Sequence, residues 1–405
     1  MLYYCLLKNT ASILTENLVT IMKILDNFIH KALSNIYKGV LTVTLPNGSS
    51  RTYGVDGLKA DLTIHSYRAI KLIIQRGDIG FAESYFKDYW STNNLLMLYE
   101  VLIANLDEMQ KQLANNTLNK FINYLKHLLR FNSISGSKKN IHAHYDLGNE
   151  FFFLWLDRTK TYSSALFNNS DIPLEEAQTN KYQSILDGLN LPKGSTILEI
   201  GCGWGGFMEH ASNAGYKVDG LTISEEQYKY ATKRLESANG SSVIFEDYRK
   251  HQGKYDAIVS IEMFEAVGSK YWSTFMDKVS SFLESGSKAI IQVITIRDDL
   301  LDKYLQSSDF IKTYIFPGGE LIGKDKLKLI GQDAGLVLNN SKCFGKDYAA
   351  TLEKWHIKFK ETETEILTQG FDKKFINIWE TYLAYCRGGF LAQRIDVGQF
   401  SFVKE

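Results

Sequence analysis

The stretch Thr196-Ile-Leu-Glu199-Ile-Gly201-Cys-Gly203-Trp-Gly205-Gly206 reads as an apolar strand, a glycine-rich turn and the start of a helix. Glycines let a backbone turn sharply and approach a ligand closely, and the first turn of a helix presents unpaired N–H groups. That combination marks a nucleotide-cofactor site in an α/β sheet. A tight strand-to-helix turn with no ligand has the same spacing, and a pyrophosphate would want the same turn. Glu199, just before the first glycine, suits the cationic amino end of an aminoacyl nucleoside and is poorly suited to a diphosphate. The stretch therefore points to S-adenosylmethionine.

Outward from this motif, apolar strands over residues 196–200, 216–222, 243–247, 255–261 and 288–295 alternate with helical patterns. Such alternation predicts a parallel, doubly wound sheet. Ligands of open sheets sit at the carboxyl ends of the strands, so Gly201, Thr222, Asp247 and Glu265 are expected to converge there.

Upstream, Leu18, Ile21, Leu25, Phe28, Ala32 and Ile36 recur at helical spacing, and residues 39–54 alternate, break at Pro46-Asn47-Gly48 and resume, which is a hairpin pattern. Helical segments follow over residues 65–129. The polar run Asn132-Ser-Ile-Ser-Gly-Ser-Lys-Lys139 reads as a linker. The expected organisation is a small N-terminal α+β domain over residues 1–131, a linker over 132–141 and a catalytic α/β domain over 142–405. Met22 competes with Met1 as the start of translation.

The 405 residues are 44% hydrophobic and 23% charged with zero formal net charge, enough for two cores and without the basic field that would hold a nucleic acid. Cys5, Cys202, Cys343 and Cys386 lack paired or metal-ligand spacing, which fits a reducing compartment and implies no metal. No apolar run is long enough to span a bilayer and no signal peptide is recognisable, so a cytoplasmic location is expected.

At the end of the second strand, Thr222-Ile-Ser224-Glu-Glu-Gln227 offers hydroxyl and amide groups to a ribose diol, while Ser224 and Gln227 also have the spacing of a helix capping box. Asp247 either accepts a hydrogen bond from an adenine amino group or is a turn carboxylate. Within Glu262-Met-Phe-Glu265-Ala-Val-Gly268, Glu265 is either exposed or buried beside reacting atoms; an inward carboxylate must be hydrogen-bonded or protonated. The segment His142-Ala-His144-Tyr145-Asp146-Leu-Gly148-Asn149 and the aromatics after it supply core or the wall of an apolar tunnel.

As a set these residues resemble the cyclopropane-fatty-acyl-phospholipid synthase family, which includes the mycolic acid cyclopropane synthases. The resemblance runs from Asn140 to Phe402 through His144 to Asn149, Tyr162-Ser163-Ser164, Glu199 to Gly206, Gly220 to Gln227, Asp247-Tyr248-Arg249, Phe264-Glu265, Tyr314 to Gly319, Tyr348 and Tyr385-Cys386. Gly77-Asp-Ile-Gly80-Phe-Ala-Glu83 and the hairpin resemble the lipid-docking domain of full-length bacterial members.

The resemblance implies a Rossmann-like class I methyltransferase that transfers a methylene group to a cis double bond of an acyl chain in a membrane phospholipid. It also implies peripheral contact with the inner face of the membrane and a homodimer. The basic residues Lys126, Arg130, Lys138 and Lys139 near the linker either help that contact or belong to a solvated linker. Carried over residue by residue, Tyr162, Ser163, Gly201, Gly203, Thr222, Gln227, Asp247 and Ile261 fall at cofactor positions. In the family a bicarbonate serves as base; Glu265, Tyr348 and the backbone of Ile294 match its holders. The cysteine and histidine positions instead carry Ser164 and Gln292, which can donate hydrogen bonds to an anion but cannot shuttle a proton as imidazole does. Cys386 matches a cysteine once proposed as a nucleophile; carbocation chemistry needs no thiol, which favours a structural role.

Overall fold

The computed structural model describes residues 25–27, 29–114, 147–169, 171–238 and 240–405. The N-terminal start, the linker, its basic residues and the histidines His142 and His144 lie outside them. Two compact units result, one from the described parts of Met1–Ile134 with Asn377–Gly388, the other from Ser135–Ile376 with Gly389–Glu405. The twelve residues 377–388, in the middle of the helix Lys373–Leu391, thus belong with the N-terminal unit although they lie far from it in sequence.

The first unit holds a four-stranded sheet in the order β2-β1-β3-β4, from Val40–Thr44 (β1), Ser50–Tyr53 (β2), Lys59–Ile64 (β3) and Trp90–Ser91 (β4). The β1–β2 hairpin pairs Thr44 with Ser50 around the expected turn, and β3 lies parallel to β1. Of the helix expected over residues 18–36, residues 25–27 and 29–33 are seen, and they are helical. The Gly77 motif has a steric reason. Gly77 breaks the helix Arg68–Tyr85 at φ 60°, ψ −128°, and a side chain at Gly80 would place its Cβ 2.0 Å from the Leu72 carbonyl oxygen.

In the second unit the sheet runs β11-β12-β9-β8-β5-β6-β7, with β10 (Ile322–Gly323) beside β9. Thr196–Ile200 (β5), Lys217–Thr222 (β6), Ser242–Phe245 (β7), Tyr255–Ile261 (β8) and Leu283–Ile296 (β9) are parallel, and the short β10 is parallel to β9 as well. Leu336–Cys343 (β11) and Ile395–Lys404 (β12) add an antiparallel edge outside the expected strand list. Strand alternation explains the unbroken apolar runs. Leu198, Ile200, Ile258, Ile291 and Val293 face one core, whereas Ile197, Val218, Ala257, Val259 and Ile290 face another on the opposite side. The order of connection reverses between β5 and β8, and the crevice at their carboxyl ends is where a doubly wound sheet binds ligands.

Candidate active site

The carboxyl ends of β7, β6, β5 and β8 lie side by side, and they place Asp247, Thr222, Gly201 and Ile261 along one edge. The glycine loop is pinned to β6 by Gly201 N and Cys202 N, which both donate to the Leu221 carbonyl at 3.0 and 2.9 Å. Gly201 has φ 85°, and a Cβ there would stand 2.5 Å from Met263 Cγ. A Cβ at Gly203 would meet no atom within 4 Å, so space is open beside the loop. From the other side Trp204 Nε1 donates to Asn149 Oδ1 at 2.7 Å.

Glu199 is only 2% exposed, and its Oε2 is closed to solvent with no hydrogen-bond partner. Burial pushes its pKa up to about 8, with Lys181 and Arg234 pulling the other way. An enclosed carboxyl with a spare acceptor fits the ammonium end of S-adenosylmethionine, whose arrival would favour the ionised form.

At the end of β6, Ser224 Oγ accepts from Gln227 N at 3.4 Å, which is the helix cap. Gln227 does not complete a capping box, because its Oε1 accepts from Thr222 Oγ1 at 3.0 Å. Thr222 and Gln227 thus form one hydrogen-bonded pair at the strand end. Asp247 accepts from Arg249 N and Nε, both at 2.9 Å, and this guanidinium holds its carboxyl below the usual range. Ser163 Oγ accepts from Lys181 Nζ at 2.7 Å, and Tyr162 packs on Trp355 with ring centroids 5.4 Å apart.

Next to this edge lies a second constellation, centred on a residue that the sequence reading passed over. Glu262 Oε1 accepts from Ser164 N at 2.9 Å and from Gln292 Nε2 at 2.8 Å, and its Oε2 accepts from Tyr348 OH at 2.7 Å. Strand β9 supplies Gln292, whose carbonyl also takes the Glu262 N–H at 2.8 Å. The helix Gly345–Glu361 supplies Tyr348 and fixes the Ser164 loop, since Thr351 Oγ1 accepts from Ala165 N and Asp347 Oδ2 from Phe167 N.

Ile294 N donates to Glu265 Oε1 at 2.5 Å, while Glu265 Oε2 is enclosed and accepts nothing. Burial first, and the nearby Glu262 second, raise the Glu265 pKa. Of the two conditions posed for an inward Glu265, the hydrogen bond is met at Oε1, and the raised pKa favours a proton on the carboxyl. Burial raises the pKa of Glu262 as well, against three donors and Lys181, and it lowers that of the wholly enclosed Lys181 to about 7.

A bicarbonate does not fit among Ser164, Gln292 and Tyr348 in addition, because Glu262 already uses those donors. Cys386, half-buried, sits on the helix stretch that belongs to the first unit. The aromatics Phe151, Trp155, Trp355 and Phe359 are at most 1% exposed and pack on one another as core.

Residues 132–400 match the family described as mycolic acid cyclopropane synthetase. The chain belongs to this family. It is an S-adenosylmethionine-dependent methyltransferase of the cyclopropane-fatty-acyl synthase type with a class I Rossmann-like fold. Among its relatives, the tuberculostearic acid methyltransferase UfaA1 of Mycobacterium tuberculosis is 33% identical over 366 residues, covering 87% of this chain and 86% of that protein. The cyclopropane-fatty-acyl-phospholipid synthase of Escherichia coli K12 is 34% identical over 349 residues, covering 85% and 87%. Of solved structures, the cyclopropane synthase MmaA2 from Mycobacterium tuberculosis aligns at a TM-score of 0.61 with 30% identity, covering 67% of this chain and all of that one. The mycolic acid cyclopropane synthase CmaA1 complexed with SAH and CTAB aligns at 0.61 with 29% identity, covering 65% and 97%.

Two residues of this synthetase-family site had readable signals. Glu262 directly follows an apolar strand, three residues before Glu265. Lys181 lies on the buried stripe Ala177, Gln178, Tyr182, Ile185, Leu186 and Leu189 of the helix Leu174–Leu189, where a lysine is costly.

Proposed function

We propose that this enzyme transfers a methylene group to the cis double bond of an unsaturated acyl chain in a membrane phospholipid and closes a cyclopropane ring. The observation that carries the reading is a cofactor edge, Gly201 to Ile261, adjoining an enclosed pair of carboxyls, Glu262 and Glu265, in a member of this family. When bound, S-adenosylmethionine supplies an electrophilic methyl group. Tyr162, Ser163, Gly201, Gly203, Thr222, Gln227, Asp247 and Ile261 hold it, with Glu199 at its ammonium end.

Beside the reacting carbons the chain needs an anion to stabilise developing positive charge, a proton acceptor, and walls that exclude water. Glu262, Glu265, Tyr348, Gln292, Ser164 and the Ile294 N–H serve the first two needs. The aromatic cluster around Tyr162 and Trp355 serves the third. Cys386 takes no part.

Among the described residues no helix is long and apolar enough to cross a membrane. We place the enzyme peripherally on the inner face, with the N-terminal unit docking there. Val55, 90% exposed in the β2–β3 connection, and the basic residues of the linker support that placement. The homodimer remains a proposal from the family resemblance.

A second reading, methylation of the acyl chain without ring closure, is favoured by the likeness to a tuberculostearic acid methyltransferase over 87% of this chain. Expression in a bacterium lacking its own synthase, followed by gas chromatography with mass spectrometry of fatty acids, tests both. A cyclopropane chain is expected. A methylene branch, or a saturated methyl branch heavier by two hydrogens that a separate hydride-donating reductase of the host must add, would establish the second reading, and an unchanged profile from folded, cofactor-binding protein would overturn both. A methylene branch has the mass of the ring and is told apart by fragmentation.

A further inference from the structure

We propose that the carboxylate of Glu262 is the resident base of this enzyme, seated where the family resemblance puts a bicarbonate, so that turnover needs no external anion. This rests on the methylene-transfer reading. Three observations converge on it.

The first is the donor set. Ser164, Gln292 and Tyr348, the residues that the resemblance assigns to an anion, all donate to Glu262, at 2.9, 2.8 and 2.7 Å. Ser164 does so through its backbone N–H, with its hydroxyl turned to the Ala165 carbonyl at 2.9 Å, so the loss of a cysteine side chain here removes no donor that Glu262 uses.

The second is backbone strain. Glu262 has φ 49°, in the left-handed region that favours glycine and that a larger side chain occupies only when its surroundings hold it there. A glycine at 262 would be at ease and would leave the donors without an acceptor.

The third is the division of charge. Two enclosed carboxyls in mutual range share one negative charge, and the better-donated one keeps it. Glu262 has three donors and the attraction of Lys181, whereas Glu265 has only backbone N–H groups, that of Ile294 and its own, and an unpaired Oε2. Glu262 is the anion and Glu265 holds the proton.

In the reaction, the alkene π pair forms a bond to the methyl carbon while the C–S pair leaves with sulfur, giving a neutral thioether and a carbocation. A C–H bond of the transferred carbon then breaks. Its electron pair closes the ring onto the cation, and its proton goes to a Glu262 oxygen, from which it later passes to solvent.

The test uses the full chain, vesicles of monounsaturated phospholipid and buffer stripped of carbon dioxide, with and without added bicarbonate. Wild type is expected to turn over equally in both. Glu262→Gly should lose about 100-fold without bicarbonate, in the range of a general base, and regain part of it with bicarbonate. Glu262→Gln, whose amide still fills the seat, should be impaired without rescue.

Binding of 13C-labelled bicarbonate, followed by NMR, should appear in Glu262→Gly and be absent from wild type. Retained S-adenosylmethionine affinity shows that each variant is folded. Bicarbonate-dependent wild type, or a Glu262→Gly variant within about threefold of wild type in stripped buffer, overturns the proposal. If wild type forms no ring, the methylene-transfer reading falls; the binding measurement then decides the seat, and equal bicarbonate binding by wild type and Glu262→Gly overturns it.

Discussion

Replacing Tyr348 by phenylalanine removes the hydroxyl that donates to Glu262 and keeps the ring. The ring stacks on Phe390 at 4.5 Å and meets Trp355 edge-on at 6.1 Å, contacts that phenylalanine keeps. Its hydroxyl donates to Glu262 Oε2 at 2.7 Å, and a hydrogen bond to an ionised acceptor contributes about 1.5–3 kcal/mol. That energy stabilises only the ionised carboxylate, so its loss makes Glu262 harder to ionise. At 1.36 kcal/mol per pH unit, the pH at which half the base is ionised rises by about one to two units. Below that midpoint the rate follows the ionised fraction, so Tyr348→Phe should turn over about 10- to 100-fold more slowly, and the deficit should shrink as pH rises. Initial rates on phospholipid vesicles between about pH 6 and 9, beside S-adenosylmethionine affinity by calorimetry, give the comparison. A variant profile that overlies wild type, or moves to lower pH, refutes the assignment of Tyr348 as a donor to the base; lost cofactor affinity would show a structural effect instead.

Glu265→Gln keeps a neutral group that accepts from Ile294 N, so it should keep cofactor affinity and most turnover, whereas Glu265→Leu, which leaves that N–H without an acceptor, should lose most turnover; unchanged turnover in Glu265→Leu would remove its role. Glu199→Gln should weaken S-adenosylmethionine binding about tenfold, since an ammonium loses an ionised partner. The same variant carries a stability signature. The folded pKa of Glu199 is raised from 4.5 to about 8, so the stability it confers is full below 4.5 and is lost as pH rises through about 8. The unfolding free energy of wild type minus that of Glu199→Gln should therefore fall by about 1.4 kcal/mol per pH unit across that window in denaturant titrations, and a flat difference contradicts the burial argument. Gly201→Ala combines φ 85° with a Cβ 2.5 Å from Met263 Cγ, so a lower Tm and weaker cofactor binding are expected, and a normal Tm would disprove the steric reading. Val55→Asp should weaken flotation with anionic vesicles while turnover on dispersed lipid stays the same; equal flotation would exclude this loop from docking.

The parallel half of the catalytic sheet is legible because both its faces are covered, which leaves strands such as Ile197 to Ile200 apolar without interruption. The antiparallel edge is not, since the rule of alternating strands and helices says nothing about β12 returning beside β9. Nor does local composition show that residues 377–388 group with the N-terminal unit, because that grouping depends on packing between distant segments.

At the site, the residues named from the family motifs, Cys386 apart, fall around two centres, but the acceptor joining Ser164, Gln292 and Tyr348 escaped notice. Its role depends on a positive φ and on donors 98, 30 and 86 residues away, neither of which a linear pattern displays. The Ser224–Gln227 spacing divides between its two readings: the serine caps the helix, and the glutamine side chain turns to Thr222.

The amide of Gln292 has a direction. Its Oε1 receives Gln399 Nε2 at 3.2 Å, and Gln399 Oε1 in turn receives Ser184 Oγ at 2.9 Å, so Nε2 of Gln292 is the end left to face Glu262. This series of dipoles runs one way, from the Ser184 hydroxyl to the carboxylate, and none of its members titrates near neutrality. An imidazole in the place of Gln292 would change sign or tautomer with acidity and reverse what it offers to its neighbour. Here the polarity is permanent: Gln292 offers a donor to an anion at any physiological pH, and among the described residues around Glu262 the groups through which acidity reaches the site are the carboxyls and Lys181.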